Sequence, residues 1–194
     1  MKQQAAELPI ILFESQSAFE GWLNANATTA PGVWLQLAKK NSGIASISYD
    51  EAVESALCYG WIDSQGKSFD DKTWIQKYTP RGKKSIWSKV NKEKAEVLVI
   101  NGRMTPAGLQ AIELAKQNGN WDKAYEQQST ASLPEDFAAM LENNAKAKAF
   151  YDSLNSRNKY AILFRFQHAS KLETRLKRMQ QFLEMLEKGE KIYP

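Results

Sequence analysis

The chain reads as an α+β protein: a small, mostly antiparallel sheet with packed helices, followed by a helical C-terminal lobe. Three observations predict this. Apolar and polar residues alternate at Val33, Leu35 and Leu37, and the period turns towards two again over 61–68 and 73–79, as half-buried strands require. Asp70 and Asp71, between the last two runs, are turn formers that make them a hairpin. Past Gly102 the pattern is helical only.

In chain order, Pro9 to Phe13 reads as a short strand. Ser15 or Ser17 caps a helix running to about Asn26; Ser17 and Glu20 have capping-box spacing, and Phe19, Trp22 and Leu23 share a face. Thr28 to Gly32 breaks that helix, the strand over 33–39 follows, and Asn41 to Ile47 is a loop. Ser48 and Glu51 form a second capping-box pair, opening a helix whose Ala52, Val53, Ala56 and Leu57 make one stripe and which Gly60 ends. On the hairpin, Trp61, Asp63 and Gln65 share a face of one strand, and Trp74, Gln76 and Tyr78 a face of the other. Pro80, which has no amide hydrogen, stops the second strand.

Arg81 to Ser85 is a basic turn, and Ser88 caps a helix to about Asn101 with Gly102 beyond it. Thr105 before Pro106 starts a helix that ends at Gly119. Residues 120–133 read as irregular, pinned by Trp121 and Tyr125. Helices are predicted from Pro134 to Glu142, from Ala145 to Leu154, and from Asn155 or Ser156 to Ala169. Ser170 with Glu173 introduces the last one, where Leu172, Leu176, Met179, Leu183 and Leu186 recur at helical spacing up to Gly189. The expected organisation is an α+β portion over 1–125 and a helical portion over 134–194, with one single domain as the alternative.

A chain of 194 residues buries roughly 70% of its unfolded surface, enough for a core without staples. Its single cysteine, Cys58, leaves no internal disulfide and fits a reducing compartment. The apolar run Leu8 to Phe13 is too short for a signal-peptide core or a membrane span, so the reading is a cytoplasmic protein with no membrane span. Net charge is +4 but unevenly spread: residues 1–66 and 95–144 each carry three basic against seven acidic side chains. Residues 67–94 carry nine against three, and 145–194 eleven against five. Two basic blocks that met in space would form a polyanion-binding face; apart, they are ordinary solvated surface.

Familiar chemistries lack their residues. With one histidine, His168, and one cysteine, a metal centre would rest on carboxylates, and no metal or cofactor is expected. Glycine-rich phosphate loops are absent. Lists such as Cys58 with His168, or Ser64 or Ser88 with His168 and Asp63, come without a nucleophile elbow or oxyanion motif.

The unusual stretch is Tyr59 to Asn91, which holds three of the six tryptophans among short polar groups. Its candidate ligand-binding residues are Trp61, Asp63, Gln65, Tyr78, Thr79, Arg81, Trp87, Ser88 and Asn91. Aromatic area with sparse directed hydrogen bonds is the make-up of small-molecule sites, and amide donors at the helix start near Ser88 suit an anionic group. Asp63 is read either as an ion pair fixing the hairpin, with Arg81 as a partner, or as the anchor of a cationic or hydroxylated ligand. The favoured function is therefore a module binding a small molecule or a protein partner. The alternatives are a nucleic-acid or polyanion binder using Lys159, Arg165, Lys171, Arg175, Lys177 and Arg178, and an enzyme of unassigned reaction using Asp63 and Arg81.

The runs AVESALCYGWIDSQ, QKYTPRGKKSIWSKVN, NGRMTPAG and SRNKYAILFRFQHASKLETRLKRM closely resemble the YdeI/OmpD-associated family, also labelled bacteriocin-protection proteins. The resemblance extends from about residue 30 to the end and is carried by GWID, YTPR and WSxxN in that order. It implies a small, soluble bacterial protein of mixed α and β content with a helical C-terminal portion, linked to bacteriocin or stress resistance. It carries over no reaction and no catalytic residues. Where the family pattern has a bulkier residue after GWIDxQ, this chain has Gly66.

Overall fold

The structure, a computed structural model, describes residues 7–126, 131–169 and 171–194. The chain divides into two compact units, residues 1–124 and 125–194, each with its own core. Among the described residues there are four strands and eight helices, and no strand lies beyond Pro80. No helix among them is long and apolar enough to cross a membrane.

Unit 1 is a four-stranded sheet in the order β1-β2-β4-β3, built from β1 (Ile10–Leu12), β2 (Val33–Ala38), β3 (Trp61–Ser68) and β4 (Thr73–Pro80). The sheet is mixed: β1 runs parallel to β2, and the other two pairs are antiparallel. Val33, Leu35 and Leu37 stand directly opposite Tyr78, Gln76 and Trp74, so these six side chains share one face. The buried members of that face join the core formed with α1 (Gln16–Asn26) and α2 (Tyr49–Cys58) through Phe19, Leu23, Val53 and Leu57. On the opposite face Ile75 is buried between strands that carry Lys67 and Trp34, and the Lys67 ammonium sits 4.7 Å above the Trp34 ring.

Local sequence explains most boundaries. Ser48 and Glu51 close a reciprocal capping box on α2, and those hydrogen bonds hold the Glu51 carboxyl below its ordinary pKa. At α1 the cap is Ser15, which accepts from the Ala18 amide at 3.3 Å. The Ser17–Glu20 pair is not used: Glu20 accepts from Ser55 and pairs with Arg103 instead. Ser88 caps α3 (Lys89–Ile100), and Thr105 caps α4 (Pro106–Gln117) with Pro106 in its first turn.

Helix α4 starts tight against the end of α2. The Thr105 amide and hydroxyl both donate to the Cys58 carbonyl, at 3.1 and 2.7 Å. Cys58 is buried, and desolvation pushes its thiol up to about 11. Because the folded value lies above the unfolded one, this contribution to stability is complete below the ordinary thiol range and lost as pH climbs through 11. Iodoacetamide at pH 8 is therefore expected to spare native Cys58 and label it in denaturant, as read by mass spectrometry. Full labelling of the native protein would contradict the burial.

Unit 2 holds α5 (Glu135–Glu142), α6 (Ala145–Ser153), α7 (Ser156–Gln167) and α8 (Leu172–Glu187) around Phe137, Leu141, Ile162, Phe166, Met179 and Leu186. Asn155 caps α7. Asn158, 1% exposed, exchanges hydrogen bonds with the Tyr193 backbone, while the Arg157 guanidinium lies 4.3 Å from the Tyr193 ring. The apolar stripe predicted for α8 is buried only in part: Met179 and Leu186 lie in the core, whereas Leu172 and Leu176 are exposed. The Ser170 half of its predicted capping box, and residues 127–130 of the predicted irregular segment, lie outside the described residues.

Candidate functional site

The segment following β4 is braced by several hydrogen bonds. The Arg81 amide donates to the Gly60 carbonyl at 2.9 Å, fixing the exit of β4 to the end of α2. Within the loop, the Gly82 amide donates to Ser85 Oγ at 3.0 Å and the Ser85 amide returns a bond to the Gly82 carbonyl at 2.9 Å. From the end of α4, Asn118 donates to the Lys83 carbonyl at 2.7 Å and Asn120 to the Ser85 carbonyl at 3.3 Å. What composition describes as a basic turn is thus held on both sides, with Lys83 and Lys84 exposed on it.

Beneath it lies Trp87, 1% exposed, meeting Trp121 edge to face with centroids 4.9 Å apart. The Arg81 guanidinium lies 3.6 Å from the centre of the Trp87 ring, and its Nη1 donates to the Ile86 carbonyl. Lys92 and Lys116 approach the Trp121 ring at 5.4 and 6.0 Å. An indole pair capped by three cations results. Between loop and α4 a small pocket of about 10 Å³, lined by Arg81, Lys83, Ser85, Trp87 and Asn118 among others, has room for about one water-sized group.

The predicted site residues do not form one cluster. Trp61, Tyr78 and Trp87 are core side chains rather than exposed platforms; Trp61 donates its indole N–H to the Ala27 carbonyl and crosses Trp22 edge to face. Ser88 and Asn91 are engaged in the cap of α3. Thr79, opposite Ile62, belongs to the other face of the sheet from Tyr78. Gln65 leaves the predicted face because the register slips between Asp63 and Gly66, so that Gly66, not Gln65, stands opposite Gln76. Asp63 is bound not by Arg81 but by Tyr49 Oη at 2.8 Å and Gln76 Nε2 at 2.9 Å.

The basic residues of unit 2 are mostly occupied. Arg175 grips Asp136 with two bonds, of 3.0 and 2.9 Å. Arg165 donates to the Ala161 carbonyl, Arg178 to that of Arg165, and Lys159 to that of Asp152. Lys171, just before α8, and Lys177, on it, are exposed. Four of the six residues assigned to polyanion binding thus have intramolecular roles.

Sequence reasoning missed Asn118 and Asn120, whose position around Gly119 reads only as a helix stop, and Tyr49, which reads only as the first residue after a cap. It also missed a cleft of about 370 Å³ between α2 and α3, with Val90, Val97 and Leu98 in its wall. The charges at its edge neutralise one another: Lys94 pairs with Asp50 and Glu54, and Arg103 with Glu54 and Glu20.

Comparisons with known proteins place these elements in families. Residues 11–111, which carry the sheet, α1 to α3 and the start of α4, match the Domain of unknown function (DUF8412), and residues 130–189 match the family described as Bacteriocin-protection, YdeI or OmpD-Associated. Searches of the curated proteins and of the solved structures return no match. The first match spans more than half of the chain, and the second covers most of the helical unit. The chain belongs to the DUF8412 family over residues 11–111, and its helical residues 130–189 match the model of the YdeI/OmpD-associated bacteriocin-protection family.

Proposed function

We propose that the protein is a binding module rather than an enzyme with a covalent intermediate, and that the braced loop from Arg81 to Ser88 recognises an anionic group, a carboxylate or phosphate, of a small molecule. The observation that carries this is Arg81 stacked on Trp87 beside exposed Lys83 and Lys84, in a loop whose backbone is fixed from both flanks. A guanidinium already held in place loses little rotamer entropy on binding, and exposed lysines add charge without a desolvation cost being sunk in advance. The pocket is too small for a whole ligand, so it suits one oxygen of a head group whose remainder lies over the loop. A link to bacteriocin or stress resistance, through capture of such a ligand or of a partner bearing it, belongs to the same reading, as does a cytoplasmic location.

A thermal-shift screen of carboxylates, phosphates, nucleotides and acidic peptides tests it, using wild type, Lys83→Glu, Arg81→Ala and Asp63→Asn. A ligand at a hundredfold excess over its Kd adds about 2.7 kcal/mol of stability. The expected result is a raised Tm for at least one anionic compound in wild type and a much smaller rise in Lys83→Glu, whose exposed position leaves the fold unchanged. No shift with any compound, or an equal shift in Lys83→Glu, would overturn the reading. A shift with duplex DNA alone, falling steeply with salt, would favour the polyanion alternative over it.

A further inference from the structure

The hairpin carries a second arrangement that needs a different ligand. Asp63 stands opposite Tyr78 where the β3 register slips. Both donors it receives, Tyr49 Oη and Gln76 Nε2, converge on Oδ2. Oδ1 has no donor among the described residues, and Asp63 makes no ion pair among them. Lys94, on α3, is taken by Asp50 and Glu54 of α2. Asp63 is half-buried, so its charge is partly removed from water without a counter-charge.

The tyrosine that donates to Asp63 also meets a tryptophan. Tyr49 is 41% exposed, Trp74 is half-buried, and their centroids lie 5.9 Å apart at 41°. The glycine after the register slip leaves room for the arrangement: a Cβ on Gly66 would come within 2.5 Å of Gln76 Oε1 and 3.3 Å of the Trp74 ring. A side chain at position 66 would force the Gln76 amide, which reaches Asp63, to shift. Next to the carboxylate, on the facing strand, the Tyr78 hydroxyl is fully buried and has no hydrogen-bond partner among the described residues. An unsatisfied buried hydroxyl is rare enough to call for an explanation at a functional site.

A carboxylate lacking a counter-ion among the described residues, bonded to the hydroxyl of a tyrosine whose ring meets Trp74, complements an organic cation, because the charge and the ring quadrupoles act on the ligand with the same sign. We propose that Asp63, Tyr49 and Trp74 form a recognition site for an ammonium or guanidinium group, with Gln76 and Gly66 as its positioning residues. This assignment does not rest on the anion-binding loop and can fail or hold independently of it.

The probes are methylguanidinium and tetramethylammonium, titrated into full-length protein while the Trp74 indole N–H and the Tyr49 ring are followed by NMR. In wild type both signals are expected to move saturably. Asp63→Asn, which keeps an acceptor for Tyr49, is expected to weaken binding at least tenfold. Trp74→Leu keeps the carboxylate and is expected to weaken binding about two- to fivefold, the size of an exposed cation–π contact; it serves as an independent arm should Asp63→Asn fail to fold. Gly66→Ala, which displaces Gln76, is expected to reduce affinity with the aromatic signals otherwise native. Unmoved Trp74 and Tyr49 signals in wild type would overturn the proposal, as would equal affinity in wild type and Asp63→Asn. So would equal response to the neutral analogues methylurea and neopentane-diol, which would show a contact indifferent to charge.

Discussion

Replacing Trp87 with alanine is expected to destabilise unit 1 by about 3–5 kcal/mol, the usual cost of removing a fully buried large aromatic side chain. Three losses coincide there. The indole is 1% exposed and packs edge to face on Trp121, so its deletion leaves a large cavity beside α4. The Arg81 guanidinium loses the ring on which it lies, and the loop from Gly82 to Ser85 loses its floor. Equilibrium unfolding in urea, followed by far-UV circular dichroism, measures the change. Trp87→Phe should recover part of it, because a ring remains under Arg81. A loss below about 1 kcal/mol would mean that the indole pair is not the keystone of this region, and the anion-binding reading would lose its support as well.

Gly108→Ala is expected to destabilise by about 1–3 kcal/mol, the range for overpacking a tight contact. The sign is informative. Within a helix, glycine to alanine ordinarily stabilises by about 1 kcal/mol, through lower backbone entropy in the unfolded chain. Here the added methyl would run into the Cys58 carbonyl, with the Met104 sulfur 2.8 Å away, because α4 is drawn onto the end of α2 by the two bonds from Thr105. Backbone cannot move aside as a flexible side chain can. A melting temperature unchanged or raised in Gly108→Ala would show that the α2–α4 contact is looser than described, and Thr105→Ala would then also have little effect.

What the sequence made legible was local. The capping box of Ser48 and Glu51, the Thr105–Pro106 helix start and the cap at Ser88 depend on residues within four positions of one another, and all three form as written. The hairpin and its turn were legible for the same reason, since period and turn formers lie within 20 residues. The slip at Asp63 to Gly66 was not: one extra residue in a strand leaves composition unchanged while moving Gln65 off the face and Gly66 onto it. Nor could the sequence show that Trp61, Tyr78 and Trp87 are buried, because aromatic residues suit a core and a binding face equally. The partners of Asp63 and Arg81 depended on distant elements. Asp63 goes to Tyr49, on α2, and Arg81 to a ring braced by Trp121, 34 residues beyond Trp87.

The central claim is that the loop from Arg81 to Ser88 binds an anionic group. A two-dimensional amide NMR titration with citrate and with inorganic phosphate tests it most directly. The account predicts saturable shifts of the Gly82, Lys83 and Ser85 amides and of the Trp87 indole N–H in wild type, with Lys83→Glu losing them at an unchanged Tm. Shifts scattered over unit 1, or the same shifts in Lys83→Glu, would contradict it.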